Sequence, residues 1–313
     1  MSFVLPFNQL SKNHVAIAGG KGAQLGEMTQ AGIPVPPGFV VLTASFEEML
    51  EENNLKNSIQ EILNSVDPKN TDTVNQASVQ IRHIISKAHV PHNVDQEIHS
   101  GFDALGAQFV AVRSSATAED ASTASWAGEL ETYLNIQRDG LISAVKKCWS
   151  SLFTPRAIFY RFEKGMAHLD ISVAVVVQKM VQSEVSGVAF TVHPVTKDKN
   201  QLVIEAGWGL GEAVVGGLIT PDNYVVDKAE ELILDVTVNT QEKMIAKDKT
   251  GKTHGIPVPA EKREKQKLNG KTIMALSALF AKIEKHYGKP QDIEWAWEKG
   301  ETFVVQTRPI TTL

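Results

Sequence analysis

The stretch from Gln291 to Arg308 constrains this chain more than any other. Its two halves, Gln291 to Trp297 and Thr302 to Arg308, are rich in residues that favour strands, and Glu298 to Glu301 separates them. Period-two alternation puts Asp292, Glu294 and Ala296 on one face and Ile293, Trp295 and Trp297 on the other. Gln306 and Arg308 likewise share a face. A three-residue loop over Lys299 to Glu301 sets Glu294 opposite Gln306 and Asp292 opposite Arg308. One sheet face then holds two carboxylates, an amide oxygen and a guanidinium. Hard oxygen donors suit Mg²⁺, and arginine suits a terminal phosphate. A solvated face with a cross-strand ion pair fits the same pattern equally well.

Composition excludes several alternatives. With 42% hydrophobic and 21% charged side chains, 313 residues suffice for a soluble globular protein of two domains or lobes. The balance of 31 basic against 36 acidic residues gives net −5, which offers no general attraction to nucleic acid or to an anionic membrane. Cys148 is the single cysteine, so an intrachain disulfide and a cysteine zinc cluster are excluded, and a cytoplasmic location is expected. The opening MSFVLPFNQLSKN has no basic segment followed by a long apolar one. The longest apolar run, Val173 to Val177, is too short to span a bilayer.

Along the chain, Gly19-Gly20-Lys21-Gly22 opens a helix in which Leu25 and Met28 fall at helical spacing and Gly32 supplies a stop. Phe39 to Leu42 reads as a buried strand, and Ser45 with Glu48 has capping-box spacing. Residues 45 to 105 read as mostly helical, with apolar positions 74, 77, 81, 84, 85 and 88 marking one buried face. Helices are also expected between Asp139 and Lys164. Strands are expected at Ser172 to Met180, Val185 to His193, Gln201 to Glu205, Tyr224 to Val226 and Leu232 to Val238, with a lobe boundary near 190. The basic stretch from Lys243 to Lys267 reads as an exposed excursion, and Lys271 to Tyr287 as a helix closed by Gly288.

Three segments carry residues suited to phosphate. A glycine turn ahead of a helix N-terminus offers N–H groups to an anion, with Lys21 as the cation. It is not a Walker loop, because Gly22 follows Lys21, and a plain surface turn is equally compatible. Arg113 ends a short strand beside Ser114, Ser115 and Thr117, donors suited to a polyphosphate, while Glu119 and Asp120 fit either a metal or a helix cap. Gly128 marks a second backbone loop. Gly207, Gly209 and Gly211 follow a strand and invite a dinucleotide reading, but their spacing is G-x-G-x-G and Glu212 stands where the third fingerprint glycine is needed.

Taken in order, GGKGAQLGEM, AVRSSATAEDASTASWAGELETYLN, SGVAFTVHP, IEAGWGLGEAVV and DIEWAWEKGETFVVQTRP resemble the nucleotide domain of the pyruvate phosphate dikinase, phosphoenolpyruvate synthase and rifampicin phosphotransferase family. The resemblance runs from about residue 8 to residue 309, and QIRHIISKA and IEKHYGKPQDIEWA look most similar to phosphoenolpyruvate synthase. It implies an α+β, ATP-grasp fold whose two lobes, 1–190 and 191–313, hold ATP in the cleft between them. Lys21 and Arg113 match the family's phosphate-binding lysine and arginine, and Arg308 its arginine near the γ-phosphate. These three are the expected catalytic residues. Glu294 and Gln306 match the Mg²⁺-binding pair, with Asp292 nearby. Gln178, Lys179, Met180 and Val181 match the segment that meets adenine, and Glu212 falls in the family's GLGE loop. Ser114, Thr117 and Gly128 complete the expected nucleotide contacts.

The sequence departs from the family at Glu129, where the family commonly carries glutamine. It also has no Thr-x-x-x-Ser-His segment. The resemblance therefore implies a phosphohistidine carrier domain and an acceptor-binding domain as partners, in trans or missing from this chain. The expected function is transfer of a phosphoryl or pyrophosphoryl group from Mg·ATP to a histidine on that separate domain. A rifampicin phosphotransferase domain and a nucleotide-binding module without catalysis are the alternatives.

Overall fold

The computed structural model describes residues 2–117, 120–121, 124–125, 131–165, 172–248 and 252–311. Two compact units divide the chain. The first comprises Met1–Gln30 and Pro37–Met180, the second Ala31–Pro36 and Val181–Leu313.

In the first unit, β1 (Val4–Pro6), α1 (Val15–Gln30) and β2 (Gly38–Val41) precede four helices: α2 (Thr43–Glu52), α3 (Leu55–Asn64), α4 (Thr71–Lys87) and α5 (His92–Leu105). Then come β3 (Val110–Ala116), the two-residue strands β4 (Asp120–Ala121) and β5 (Ala124–Ser125), β6 (Thr132–Ile136), α6 (Leu141–Ser150), α7 (Pro155–Glu163) and β7 (Val173–Lys179). Five of the strands form an antiparallel sheet in the order β1-β2-β7-β3-β6. Alternation sorts its faces. Phe39, Val41, Val110, Val112, Val173, Val175 and Val177 join the helical core around Phe46, Ile81 and Trp149. Val40, Arg113, Ser115, Val176 and Gln178 fall on the opposite face, where α1 lies.

The expected stripe of α4 is observed, with Val74, Ala77, Ile81 and Ile85 buried and Asn70 accepting the Asp72 N–H at the cap. Each buried valine or isoleucine contributes about 1.5–3 kcal/mol, against tenths for helix propensity, so packing holds this helix. The capping box at Ser45 is not formed. The helix starts at Thr43, so Ser45 lies inside it and donates to the Phe3 carbonyl at 2.9 Å.

The second unit contains β8 (Val185–Phe190), β9 (Gln201–Trp208), the one-turn α8 (Glu212–Val215), β10 (Asp222–Asp227) and β11 (Leu232–Thr237). They are followed by β12 (Lys243–Lys247), β13 (Thr253–Pro257), α9 (Gly270–Tyr287), β14 (Gln291–Glu298) and β15 (Glu301–Pro309). A six-stranded antiparallel sheet has the order β11-β10-β9-β8-β14-β15. The protein is thus mixed α+β with two antiparallel sheets.

Helix α9 begins at the Asn269 cap, ends at Gly288 in the left-handed region, and buries Ile273, Leu276, Phe280 and Ile283. It covers one sheet face, with Phe280 and Trp295 ring centroids 6.5 Å apart. The edge strand β15 is met by a proline-containing strap, since Val304 donates its N–H to the Pro34 carbonyl at 2.8 Å. The stretch from Lys243 to Lys267 is exposed along most of its length, as expected, and within it β12 and β13 pair as an antiparallel hairpin. Its base is buried, with Lys267 Nζ 2.7 Å from Asp222 Oδ1 and both side chains fully inaccessible.

Candidate phosphate and metal site

In the first unit, the glycine turn breaks α1. Gly19 sits at φ 67° and ψ 174°, so the helical run restarts after it with Gly20, Lys21 and Gly22 in its first turn. The break lies directly against β3. A Cβ at Gly19 would stand 2.1 Å from the Ser115 carbonyl oxygen, and one at Gly22 2.9 Å from a Val40 methyl. Arg113 and Ser115, two apart on β3, point to the same side of the sheet. The half-buried Lys21 and the buried Arg113 are therefore brought to one face.

The hydroxyls near Arg113 are already engaged. Ser114 Oγ donates to the Glu131 carbonyl at 2.9 Å, Ser115 Oγ to Ala18 at 2.9 Å and Thr117 Oγ1 to Ser172 at 3.2 Å. Gln178 is buried on the same face as Arg113, opposite Gly38. Lys179 donates its backbone N–H to Pro37 at 2.8 Å and Met180 to Phe109 at 3.0 Å. Val181, which is buried, begins the second unit. Gly128, with Glu119 and Glu129, lies outside the described residues.

The second unit carries the acidic face. Glu294 pairs directly with Gln306, and Asp292 with Arg308. The turn differs from the expected three residues: Lys299 and Gly300, both at positive φ, form a two-residue turn between Glu298 and Glu301. Val305 then bulges out between the Trp295–Val304 and Glu294–Gln306 pairs, restoring the expected register from Glu294 onward. Arg308 Nε and Nη2 each lie 2.7 Å from Asp292 Oδ2. Across β14, Glu294 faces Val188 of β8, which in turn faces Glu205 of β9.

Glu205 therefore lies in one row with Glu294 and Gln306, all half-buried on the face away from α9. Burial, then the nearby Asp292 charge, raises the Glu205 carboxyl above its usual range. Sequence reading missed this residue because its alignment with Glu294 depends on two strand registers set by residues distant in the chain.

The Gly207 to Glu212 loop closes over the end of this face. Ser186 Oγ donates to the Gly209 carbonyl at 2.6 Å, and Leu210 N–H to Ile245 of β12 at 2.8 Å. Buried Gln241 accepts the Trp208 N–H at 2.8 Å and returns its amide to the Trp208 carbonyl at 3.0 Å. Gly209 has φ 90°, and a Cβ there would meet the Ile245 oxygen at 2.5 Å. Burial raises the carboxyl of Glu212, the first residue of α8. The antiparallel neighbours of β9 and the four-residue α8 rule out a dinucleotide-binding βαβ crossover here.

A nucleotide-borne Mg²⁺ needs only one or two protein oxygens beside phosphates and water. The adjacent Glu294 carboxylate and Gln306 amide oxygen fit that demand. Among the described residues, no group of three or more His, Cys, Asp or Glu is arranged to hold an ion by itself. Nor is any helix among them long and apolar enough to cross a membrane.

Residues 15–313 match the family described as pyruvate phosphate dikinase, AMP/ATP-binding domain. Among curated relatives, a probable phosphoenolpyruvate synthase of Methanocaldococcus jannaschii is 47% identical over 100% of this chain and 27% of its own length. The phosphoenolpyruvate synthase of Pyrococcus furiosus is 40% identical over 99% of this chain and 44% of its own. A rifampicin phosphotransferase of Bacillus cereus is 39% identical over 100% of this chain and 36% of its own. The chain spans less than half the length of these curated relatives.

Proposed function

The chain belongs to the pyruvate phosphate dikinase AMP/ATP-binding family, and on that premise we infer that it is the Mg·ATP-binding module of a phosphoenolpyruvate synthase-like dikinase. It passes a phosphoryl or pyrophosphoryl group from ATP to a histidine of a separate carrier domain, and an acceptor-binding domain completes the enzyme. The two units correspond to the two lobes that the ATP-grasp reading expects. The observation that carries this reading is the sheet face on which Glu294 and Gln306 sit side by side next to the Asp292–Arg308 pair.

Phosphoryl transfer asks for positioning and charge neutralisation more than for covalent chemistry. Lys21 and Arg113 hold phosphate oxygens, and Arg308 turns to the terminal phosphate. Its ion pair with Asp292 does not oppose this, because the Arg308 side chain is 49% exposed and such pairs contribute about 1 kcal/mol or less. Glu294 and Gln306 hold Mg²⁺, which supplies charge neutralisation at the phosphates when bound. The backbone of Gln178 to Val181 meets the adenine edge, and Thr117, Gly128 and Glu212 line the nucleotide; Ser114, paired with Val175, lies on the helical-core side of the sheet and takes no part.

The 39% identity to a rifampicin phosphotransferase over the whole chain keeps a second acceptor, rifampicin, in view. Calorimetry with ATP, with and without Mg²⁺, tests the core of the reading, and metal-dependent binding is expected. Added phosphohistidine domains from each class of relative then test the carrier: the cognate one acquires label from ATP and AMP accumulates. ATP-independent behaviour in all these assays would overturn the proposal.

A further inference from the structure

We propose that Ser115 is a positioning residue that caps the Lys21 helix from another strand and locks it to the strand carrying Arg113. This rests on the reading of Lys21 and Arg113 as phosphate-binding groups. The helical run that restarts after Gly19 needs an acceptor for its first-turn N–H groups, a task normally done by the side chain of the residue at the N-cap. Gly19 occupies that position and has no side chain. Ser115 supplies the missing oxygen from the neighbouring β3: its Oγ accepts the Gly22 N–H at 3.1 Å. The same hydroxyl donates to Ala18, the residue before the break, at 2.9 Å. One fully buried hydroxyl thus spans the break and holds both of its sides.

The fit is close on both sides. Gly19 comes so near Ser115 that an added Cβ would stand 2.3 Å from Oγ, so the turn cannot shift toward β3. Lys21 lies one residue from the capped Gly22, and Arg113 lies two residues from Ser115 on the same face. The hydroxyl therefore fixes the distance between the two cations. Since its single proton is committed to Ala18, Ser115 serves the phosphates through Lys21 and not by direct contact.

The test compares ATP and adenosine binding in the full chain for Ser115→Ala, Lys21→Ala and the double variant. Loss of the cap should weaken ATP binding roughly tenfold, as expected for one misplaced charge-assisted contact. Adenosine affinity, measured by competition, should stay unchanged. In the Lys21→Ala background the Ser115→Ala substitution should have little further effect, because both act through one group. Ser115→Cys, close in size but a weak hydrogen-bonding partner, takes its place should the alanine variant not fold, and should show the same pattern. Equal losses for ATP and adenosine, additive losses in the double variant, or undiminished ATP binding would each overturn the inference. If Lys21→Ala itself leaves ATP binding unchanged, the phosphate role of Lys21 fails instead.

Discussion

Replacing Lys267 by methionine is the sharpest probe of how the β12–β13 hairpin is anchored. The substitution removes the ammonium while keeping an alkyl chain of similar length in a site where both ion-pair partners are fully buried. Asp222 loses its counter-charge but keeps three donors: the Lys267 N–H at 2.9 Å, the Asn239 N–H at 2.9 Å and the Tyr224 hydroxyl at 2.8 Å. Breaking a buried pair by removing one partner costs about 3–5 kcal/mol, and the retained hydrogen bonds put Lys267→Met at the lower end, about 3 kcal/mol. Asp222→Ala should cost more, about 5 kcal/mol, because it leaves the buried ammonium with no counter-charge, only the Asn239 carbonyl, and releases those three donors at the same time. The double change Asp222→Asn with Lys267→Met should cost less than the sum of its singles. Urea unfolding followed by tryptophan fluorescence gives the totals, and amide exchange at Leu268, whose N–H is held by the Tyr224 hydroxyl, gives the local opening. A Lys267→Met protein within 1 kcal/mol of the parent, or strict additivity in the double variant, would refute the argument.

Gly19→Ala should destabilise the first unit by roughly 3 kcal/mol, since it combines a left-handed φ with a Cβ 2.1 Å from a backbone oxygen; unchanged unfolding in denaturant would show that the turn relaxes. Glu294→Ala should remove the metal-dependent part of ATP binding in calorimetry while changing unfolding by no more than about 1 kcal/mol, because its half-buried side chain lies on the sheet face away from the α9 core. For Glu205, the raised folded-state pKa means that the native state binds its proton more tightly than the unfolded chain, so stability is lost as pH rises from the ordinary glutamate range through the folded value. Glu205→Gln should therefore stabilise the protein at neutral pH and lose that advantage towards pH 4, and a melt series across pH that shows the opposite trend would contradict it.

Local patterns made much of the fold legible. The stripe of α4, the stop of α9 and the alternation in β14 are signals contained within a few turns of chain, and the structure follows them. The terminal hairpin shows how far such reasoning reaches. Its facing pairs were readable from parity, yet the two-residue turn and the Val305 bulge, which offset one another, were not, because a bulge leaves no local mark in composition. The Lys243 to Lys267 stretch is exposed along most of its length, as expected, but its hairpin and its anchoring were not legible, for a related reason. Its basic surface advertises solvent, whereas its hold on the rest of the unit comes from buried Gln241 and Lys267, polar residues whose burial is decided by distant partners. Ser115 is similar: a serine beside an arginine suggests a ligand, and only the approach of Gly19 reveals that its proton is already spent on Ala18.

The strap at Ala31–Pro36 bears on how this chain is made and cut. It is synthesised early, between two elements of the first unit, but its place is against β15, which is made near the other end of the sequence. On the ribosome the first unit has its whole sheet once β7 has emerged, while in the second β8 pairs early with β9 but waits for the last hairpin to gain β14, as the strap waits for β15. A fragment excised at Val181 would retain every strand of the six-stranded sheet yet leave the outer edge of β15 bare, an invitation to strand-by-strand association. Grafting residues 31–36 back on, or placing a lysine on the outward side of β15, is the repair that a soluble fragment of the second unit requires.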